Sequence, residues 1–213
     1  WYYWSRPYFN IAPQEITHGE TITDVNGNYE ISFIAAPDNS IDSSNLPTFN
    51  FEVTADVTDI NGETRSTTTH VAVGYHSLNV TLQVPEFFDK TKKDNKINIA
   101  STNLNGEFAA TTGKVTLYKL QAPDYVLRPR PWAAPDYSGF TKKEFKELYP
   151  HDAFKNENDP SQWEKEKVIW SSNFNTAESK EIAFGKTKNW KSGKYRLELS
   201  AKDKFGQLVK DVA

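Results

Sequence analysis

An alternating stretch of residues 49–58 constrains the fold of this chain more than any other feature of the sequence. Its odd-numbered residues are apolar and its even-numbered residues are polar; the apolar ones are Phe49, Phe51, Val53, Ala55 and Val57. A period of two predicts an antiparallel strand with one buried and one solvated face. The strand runs into Asp59-Ile60-Asn61-Gly62, where Asn-Gly predicts the positive φ angles of a tight hairpin turn. A return strand is predicted over Thr67–Tyr75.

The same pattern is repeated near the C-terminal end of the sequence. Residues 195–201 alternate in the same way and run into Asp203-Lys204-Phe205-Gly206. The matched positions are 144 residues apart: Phe51 and Tyr195, Val53 and Leu197, Ala55 and Leu199, Asp59 and Asp203, Gly62 and Gly206. This spacing is too long for one unit of a solenoid. The repeat therefore predicts two β-sandwich domains in tandem.

We predict an all-β fold class with two antiparallel β-sandwiches, over residues 1–77 and 78–213. The junction is placed at Gly74–Ser77, because alternation starts again at Leu78. Within the first domain, strands are predicted over Glu15–Thr23 and Asn28–Ala35. The chain starts at Trp1 and contains no methionine, so we expect a piece of a longer protein.

The alternation stops between residues 122 and 167, which predicts an insertion into the second domain. Thr141–Tyr149 is predicted to form a helix with Thr141 as N-cap and Glu144 completing a capping box. Further helix is predicted at Trp163–Lys167. A structureless loop of this length is uncommon, so we expect its aromatic residues to pack it down or to buttress the seam between domains. The candidate packing residues are Trp132, Tyr137, Phe140, Phe145 and Trp163.

Composition excludes several classes of function. The chain has no cysteine, which rules out disulfides, thiolate metal sites and cysteine nucleophiles. Its net charge of −3 does not indicate binding to nucleic acid or acidic lipid. No phosphate-binding loop, dinucleotide fingerprint or serine nucleophile elbow is present. We therefore predict a protein that is not an enzyme, with no catalytic residue, no cofactor and no metal.

Three weaker readings of the sequence remain open. The runs that begin at Asp24 and Asp59 resemble calcium loops, but they lack the Gly and Glu spacing of an EF-hand and are more typical of hairpin turns. A weak calcium site between such turns is the first alternative. A carbohydrate-binding or adhesion module that uses Trp1, Tyr3 and Trp4 is the second. An accessory β domain of a polysaccharide-degrading enzyme is the third.

The text of the sequence also resembles a known family. Thr-Asp-x-Asn-Gly-x-Tyr-x-Ile-x-Phe at Thr23–Phe33, followed by the stretch Phe51–Thr64, is similar to bacterial α2-macroglobulin-like proteins. The later segments resemble the large envelope proteins of that family in Bacteroidetes. These segments are Thr102–Gly106, Gly113–Leu120, Arg130-Pro131-Trp132 and Tyr149-Pro150. The resemblance covers most of the chain.

The resemblance implies a function that the residues alone do not. Macroglobulin-like domains are seven-stranded sandwiches of the fibronectin type, and this chain is similar to the third and fourth of them. Residues 1–77 are short for seven strands, so the resemblance implies that the first strands of that domain lie upstream of Trp1. Members of the family trap proteases after cleavage of a bait segment, and many carry a Cys-Gly-Glu-Gln thioester, which this cysteine-free chain lacks. The implied role is a structural segment of a broad-spectrum protease inhibitor in the bacterial envelope, in the periplasm or on the surface, compatible with a lipid anchor. Its implied partners are other domains of the parent chain and, through the whole protein, target proteases.

Overall fold

The computed structural model describes residues 14–128, 135–137 and 139–213. The described chain is mostly β, with antiparallel sheets and one short α-helix. The strands are β1 (Thr48–Thr58), β2 (Thr64–Gly74), β3 (Asn79–Gln83), β4 (Lys96–Thr102), β5 (Thr112–Leu120), β6 (Lys165–Asn175), β7 (Glu181–Ala183), β8 (Tyr195–Lys202) and β9 (Leu208–Val212), and the helix is α1 (Lys142–Leu148). The chain divides into two compact units, Trp1–Val73 and Gly74–Ala213.

The second unit contains two antiparallel sheets that share one buried core. The first sheet has the order β3-β4-β7 and the second has the order β6-β5-β8-β9. Alternate residues of β3, β4 and β8 point inward, as the period of two requires. Members of both sheets belong to one buried cluster; they include Val80, Ile97 and Ile99 from the first sheet and Val115, Leu117, Phe174, Leu197 and Leu199 from the second. Val115 is 0% exposed and Ile97 is 1% exposed, so this core supplies most of the driving force for folding of the unit.

Four tight turns in the described part of the chain use one hydrogen-bond scheme. In each, the side chain of the first residue accepts the backbone N–H groups two and four residues later, and a glycine at the fourth position takes a positive φ. The first residues are Asp24, Asp59, Asn103 and Asp203, and the glycine φ values lie between 82° and 87°. This is a three-residue hairpin loop closed by a left-handed glycine. The prediction of positive φ at both Asn61 and Gly62 was wrong, because Asn61 is not among the described residues with positive φ.

The two hairpins 144 residues apart also share their strand register. On the solvated face of β1 and β2, Thr54 bonds Thr68 at 3.2 Å, Asp56 accepts from Ser66 at 2.5 Å and Thr58 bonds Thr64 at 2.8 Å. In the second hairpin, Ser200 lies opposite Lys210 and Lys202 lies opposite Leu208. Each of these pairs matches a pair of the first hairpin once both numbers are shifted by 144. The repeat seen in the sequence thus corresponds to two hairpins of the same turn and the same register.

The first unit contains fewer strands than expected. Among residues 14–73, only β1 and β2 are strands, and they form a two-stranded sheet. The predicted strands Glu15–Thr23 and Asn28–Ala35 are not formed. The second segment still places Phe33 against Phe51, with ring centroids 5.7 Å apart. Alternation alone therefore gave the segment an apolar face, while a strand also requires a ladder of backbone partners.

The insertion lies between β5 and β6, over residues 121–164. Its helix α1 has the predicted capping box, in which the Thr141 side chain accepts from the Glu144 backbone and the Glu144 carboxylate accepts from the Thr141 backbone. The prediction of a further helix at Trp163–Lys167 was wrong. A short 3-10 turn occupies Pro160–Gln162 instead, and β6 begins at Lys165. The β-branched Val168 and Ile169 and the ladder with β5 favour the strand there.

Candidate functional site

The predicted packing residues of the insertion do not form one cluster. Phe145 lies at the centre of an aromatic group, with ring centroids 5.2 Å from Tyr149 and 5.5 Å from Phe154. Phe140 joins this group at 6.3 Å from Tyr149. Trp163 is held elsewhere, where its ring N–H donates to the Glu157 carbonyl at 2.8 Å. Tyr137 is 85% exposed.

The fifth predicted packing residue, Trp132, lies outside the described residues, as does most of the proline-rich segment around it. Whether it packs at a seam between domains therefore stays a prediction. The same holds for Trp1, Tyr3 and Trp4, on which the carbohydrate-binding alternative rests.

A carboxylate that the sequence did not single out organises the insertion. Glu157 Oε2 accepts from the Tyr125 hydroxyl at 2.7 Å and from the Phe154 N–H at 3.1 Å. Its other oxygen pairs with Lys142 at 2.7 Å and lies 3.8 Å from Lys146. Burial by itself would raise the pKa of Glu157, but the hydrogen bonds from Lys142, Tyr125 and Phe154 outweigh it and lower the pKa. Glu157 is therefore ionised at neutral pH and ties α1 to both flanking segments.

A second ion pair joins the beginning of the insertion to the segment after the helix. The Arg128 guanidinium donates to both carboxylate oxygens of Asp152 at 2.9 Å each. The Arg128 backbone N–H donates to the His151 carbonyl at 2.7 Å. Such a bidentate pair has fixed geometry. Together with Glu157 it closes the insertion on itself.

Several buried polar side chains of the second unit are likewise used inside the fold. The Asn95 amide donates to the Asp89 carbonyl at 2.8 Å and to Thr187 Oγ1 at 3.0 Å. The Thr187 hydroxyl then donates to the Lys90 carbonyl at 2.9 Å. Thr176 Oγ1 accepts from Ser101 at 3.0 Å. The bonds of Asn95 and Thr187 fix the loop before β4. The bond from Ser101 joins β4 to the residue that follows β6. All of them satisfy buried groups that would otherwise cost stability.

The calcium alternative finds no support in the turns. In the runs at Asp24 and Asp59, one carboxylate oxygen accepts two backbone N–H groups of its own turn. This is the hydrogen bonding of an Asp that stabilises a tight turn. The backbone amides lower the pKa of both aspartates. Among the described residues, no group of three His, Cys, Asp or Glu side chains is placed to hold a metal ion.

A shallow apolar groove lies on the first unit. Its walls are formed by the extended segment that contains Tyr29, Ile31 and Phe33 and by the inner face of the β1–β2 hairpin. Val53 and Ala55 line it from β1. The hairpin therefore presents apolar side chains that the described part of the unit covers only in part.

Sequence reasoning located β1, β2, β8 and the helix cap but missed Tyr125, Arg128, Asp152 and Glu157. The partners in these pairs are 24 and 32 residues apart, so no periodicity marks them. The only sequence signal was the charge of α1, since Lys142 and Lys146 are four residues apart and face one side of a helix.

No membrane-spanning helix is found in the described part of the chain, since none there combines the length and the apolar character that a span requires. Comparison of the chain with protein-family models, with curated proteins and with solved structures found no match. A functional proposal therefore rests on the fold, on the contacts described above and on the resemblance in the sequence.

Proposed function

We propose that this chain is a non-catalytic structural segment of an α2-macroglobulin-like protease inhibitor of the bacterial envelope, built from macroglobulin-like β-sandwiches. The observation that carries the proposal is the second unit, in which seven antiparallel strands form sheets of three and four strands around one core. A seven-stranded sandwich is what the sequence resemblance implies. The fold by itself does not specify a function, so the family resemblance supplies the rest.

The use of polar groups in the described residues supports a scaffold role. The clusters at Asn95, Thr176 and Glu157 make hydrogen bonds that hold loops and the insertion in place. Rigid domains of this kind would keep the bait and thioester regions, supplied by other parts of the parent protein, at fixed distances. In this proposal, the stability of the cores is what the segment contributes.

The test compares the chain with the full-length parent protein that the proposal implies. We expect the longer protein, after mixing with a protease, to block cleavage of a large protein substrate while cleavage of a small peptide substrate continues. We expect residues 1–213 alone to inhibit neither reaction. Equal inhibition of both substrates by the longer protein, or direct inhibition by the isolated chain, would overturn the proposal, and binding of the isolated chain to a glycan array would favour the adhesion alternative.

A further inference from the structure

Positive charge is concentrated in two loops of the second unit. Residues 74–213 contain 23 Lys and Arg against 18 Asp and Glu, a net charge of +5, and residues 1–73 contain 2 against 10, a net charge of −8. Within the second unit, residues 85–95 and 184–194 have seven lysines and three carboxylates, a net charge of +4. The net charge of −3 for the whole chain therefore hides a basic patch, because the acidic first unit cancels it.

The two loops are held together by hydrogen bonds. The Asn95 amide, in the first loop, donates to Thr187 Oγ1, in the second loop, at 3.0 Å. The Thr187 hydroxyl in turn donates to the Lys90 carbonyl at 2.9 Å, and the Lys90 ammonium donates to the Trp190 carbonyl at 3.2 Å. The loops lead into β4 and β8 and form one surface, which we call the lysine-rich end.

The lysines of the lysine-rich end are all exposed. They are Lys90, Lys92, Lys93, Lys186, Lys188, Lys191 and Lys194. Within the described residues, none of them forms a salt bridge. Asp89, one of the three carboxylates among them, instead accepts from the backbone N–H and the hydroxyl of Thr91, at 2.9 and 2.6 Å. The net positive charge of this surface is therefore available to an anionic partner.

An exposed aromatic ring lies among the lysines. Phe87 is 75% exposed, and the Lys194 ammonium lies 6.0 Å from its ring centroid. The neighbouring Phe88 packs edge-on against the buried ring of Phe184, at 5.2 Å between centroids, and anchors the loop. Lysines beside an exposed apolar ring are typical of surfaces that lie on a bilayer, where ammonium groups meet the headgroups and the ring enters the acyl boundary.

We infer that the lysine-rich end binds the surface of a bilayer that contains anionic phospholipids. Its loops contain no arginine, the residue that binds a single phosphate in a bidentate manner. Lysine is a compact charge on a flexible stem, which suits headgroups that are not fixed in position. The ring of Phe87 favours a lipid surface over duplex nucleic acid or an acidic polysaccharide, because neither has an apolar layer beneath its charges. The inference goes beyond the proposed inhibitor role and does not depend on it.

The first experiment measures sedimentation of the full chain of 213 residues with vesicles. One set of vesicles contains phosphatidylcholine with about one third phosphatidylglycerol, and the neutral reference set contains phosphatidylcholine alone. We expect the chain to bind the anionic vesicles and not the neutral ones. Raising the salt to about 1 M, which shortens the screening length to about 3 Å, should release it.

A triple variant tests the contribution of the lysines. Lys186→Gln, Lys188→Gln and Lys191→Gln together remove three charges from the second loop. One lysine at an anionic surface is worth about fivefold in affinity, so we expect a loss of about a hundredfold. These side chains are exposed, and the variant should unfold at the same temperature as the unchanged chain.

The matched control removes the same charge from the opposite end of the sheet. It combines Lys114→Gln, Lys202→Gln and Lys210→Gln, all at exposed positions. Lys114 and Lys210 both lie opposite Ser200, and Lys202 is the last residue of β8, whereas the second loop leads into its first residue. This variant should bind the anionic vesicles nearly as well as the unchanged chain.

The absence of cysteine allows the position of Phe87 to be tested directly. A polarity-sensitive fluorophore on Phe87→Cys has no other thiol to label, and we expect its emission to shift to the blue on anionic vesicles. Phe205→Cys is the matched control, because Phe205 is 76% exposed and has the Lys204 ammonium 5.0 Å from its ring centroid. Since Phe205 lies in the turn after β8, its label should show no shift.

Four results would overturn the inference. The first is no binding to anionic vesicles, or equal binding to the neutral ones. The second is an equal loss of binding in the two triple variants, or equal behaviour of the two labels. The third is binding to duplex DNA or heparin without binding to vesicles, which would assign the surface to another polyanion. The fourth is self-association without vesicles that the loop variant abolishes, which would mean that a second copy of the chain occupies the surface.

Discussion

The carboxylate of Asp203 holds Ser77, a residue 126 positions earlier in the chain. One oxygen of Asp203 accepts the Ser77 backbone N–H at 2.9 Å and its hydroxyl at 3.2 Å. The other oxygen accepts the N–H groups of Phe205 and Gln207, which form the turn between β8 and β9. In the repeated turn, Asp59 makes the same two turn bonds, but within the described residues its second oxygen meets only the side chain of Asn61, at 3.4 Å.

This difference predicts unequal effects of one substitution at the two aspartates. An amide has one acceptor oxygen, so Asp203→Asn can support either the turn or Ser77 but not both. We expect it to lower the free energy of unfolding of the second unit by about 1–3 kcal/mol. The matched control Asp59→Asn should leave the first unit unchanged, because Asn103 already forms this turn with an amide. Hydrogen exchange at Leu199 and Val53 would report each unit separately, and equal effects in both units would contradict the prediction.

The same carboxylate predicts a dependence of stability on pH. Burial would raise the pKa of Asp203, but hydrogen bonds from Ser77, Gln207 and Phe205 outweigh it and lower the pKa. A lowered pKa in the folded state stabilises the fold above the unfolded value of about 3.9, and this contribution is lost as the pH falls through the folded value. We expect Asp203→Asn to remove this part of the acid destabilisation. Urea unfolding of both proteins between about pH 2 and pH 7 measures it, and parallel curves would contradict it.

Gly113 at the beginning of β5 is predicted to tolerate no side chain. A Cβ at this position would lie 2.3 Å from the Ser200 carbonyl oxygen and 2.7 Å from the ring of Phe174. We expect Gly113→Ala to destabilise the second unit by about 1–3 kcal/mol, since the backbone of β8 at Ser200 and the ring of Phe174 must both move. Gly139→Ala is the control, because a Cβ at that position would have no neighbour within 4 Å among the described residues. Thermal unfolding compares the two, and a Gly113→Ala variant as stable as the control would refute the packing described for β5.

We predict that the carboxylate of Glu157 stabilises the insertion locally. Glu157→Gln removes the charge that pairs with Lys142 and Lys146 while keeping the size of the side chain. We expect faster hydrogen exchange in α1 and unchanged exchange in β5 and β8, because the substitution weakens the ties of the insertion and leaves the core intact. Glu147 lies on α1 itself, and Glu147→Gln is the control, which should leave hydrogen exchange in α1 unchanged. Equal exchange in all three proteins would show that Glu157 does not tie the helix.

The parts of the fold that sequence reasoning predicted are those set by local pattern. Alternation located β1 and β8, and the spacing of Thr141 and Glu144 identified the helix cap. Alternation failed for Asn28–Ala35, because pattern specifies a face and says nothing about whether a neighbouring strand is present.

Sequence analysis did not predict the contacts within the insertion, and the reason is different. Glu157 acts through Tyr125 and Lys142, which come from separate segments. Their meeting depends on how the chain returns after α1, and no spacing rule encodes that path. The sequence could place charges on a helix face but could not identify the carboxylate that meets them.

The bond between Ser77 and Asp203 has a mechanical consequence. Tension that reaches the second unit from its N-terminal side enters at Ser77, shortly before β3, and is passed to the β8–β9 turn before it acts on the strands of the core. The Leu82 N–H, which donates to the Asp211 carboxylate at 2.6 Å, shares the load further along β3. Because these two bonds lie at the N-terminal side of the unit, we expect them to oppose detachment of β3 under force.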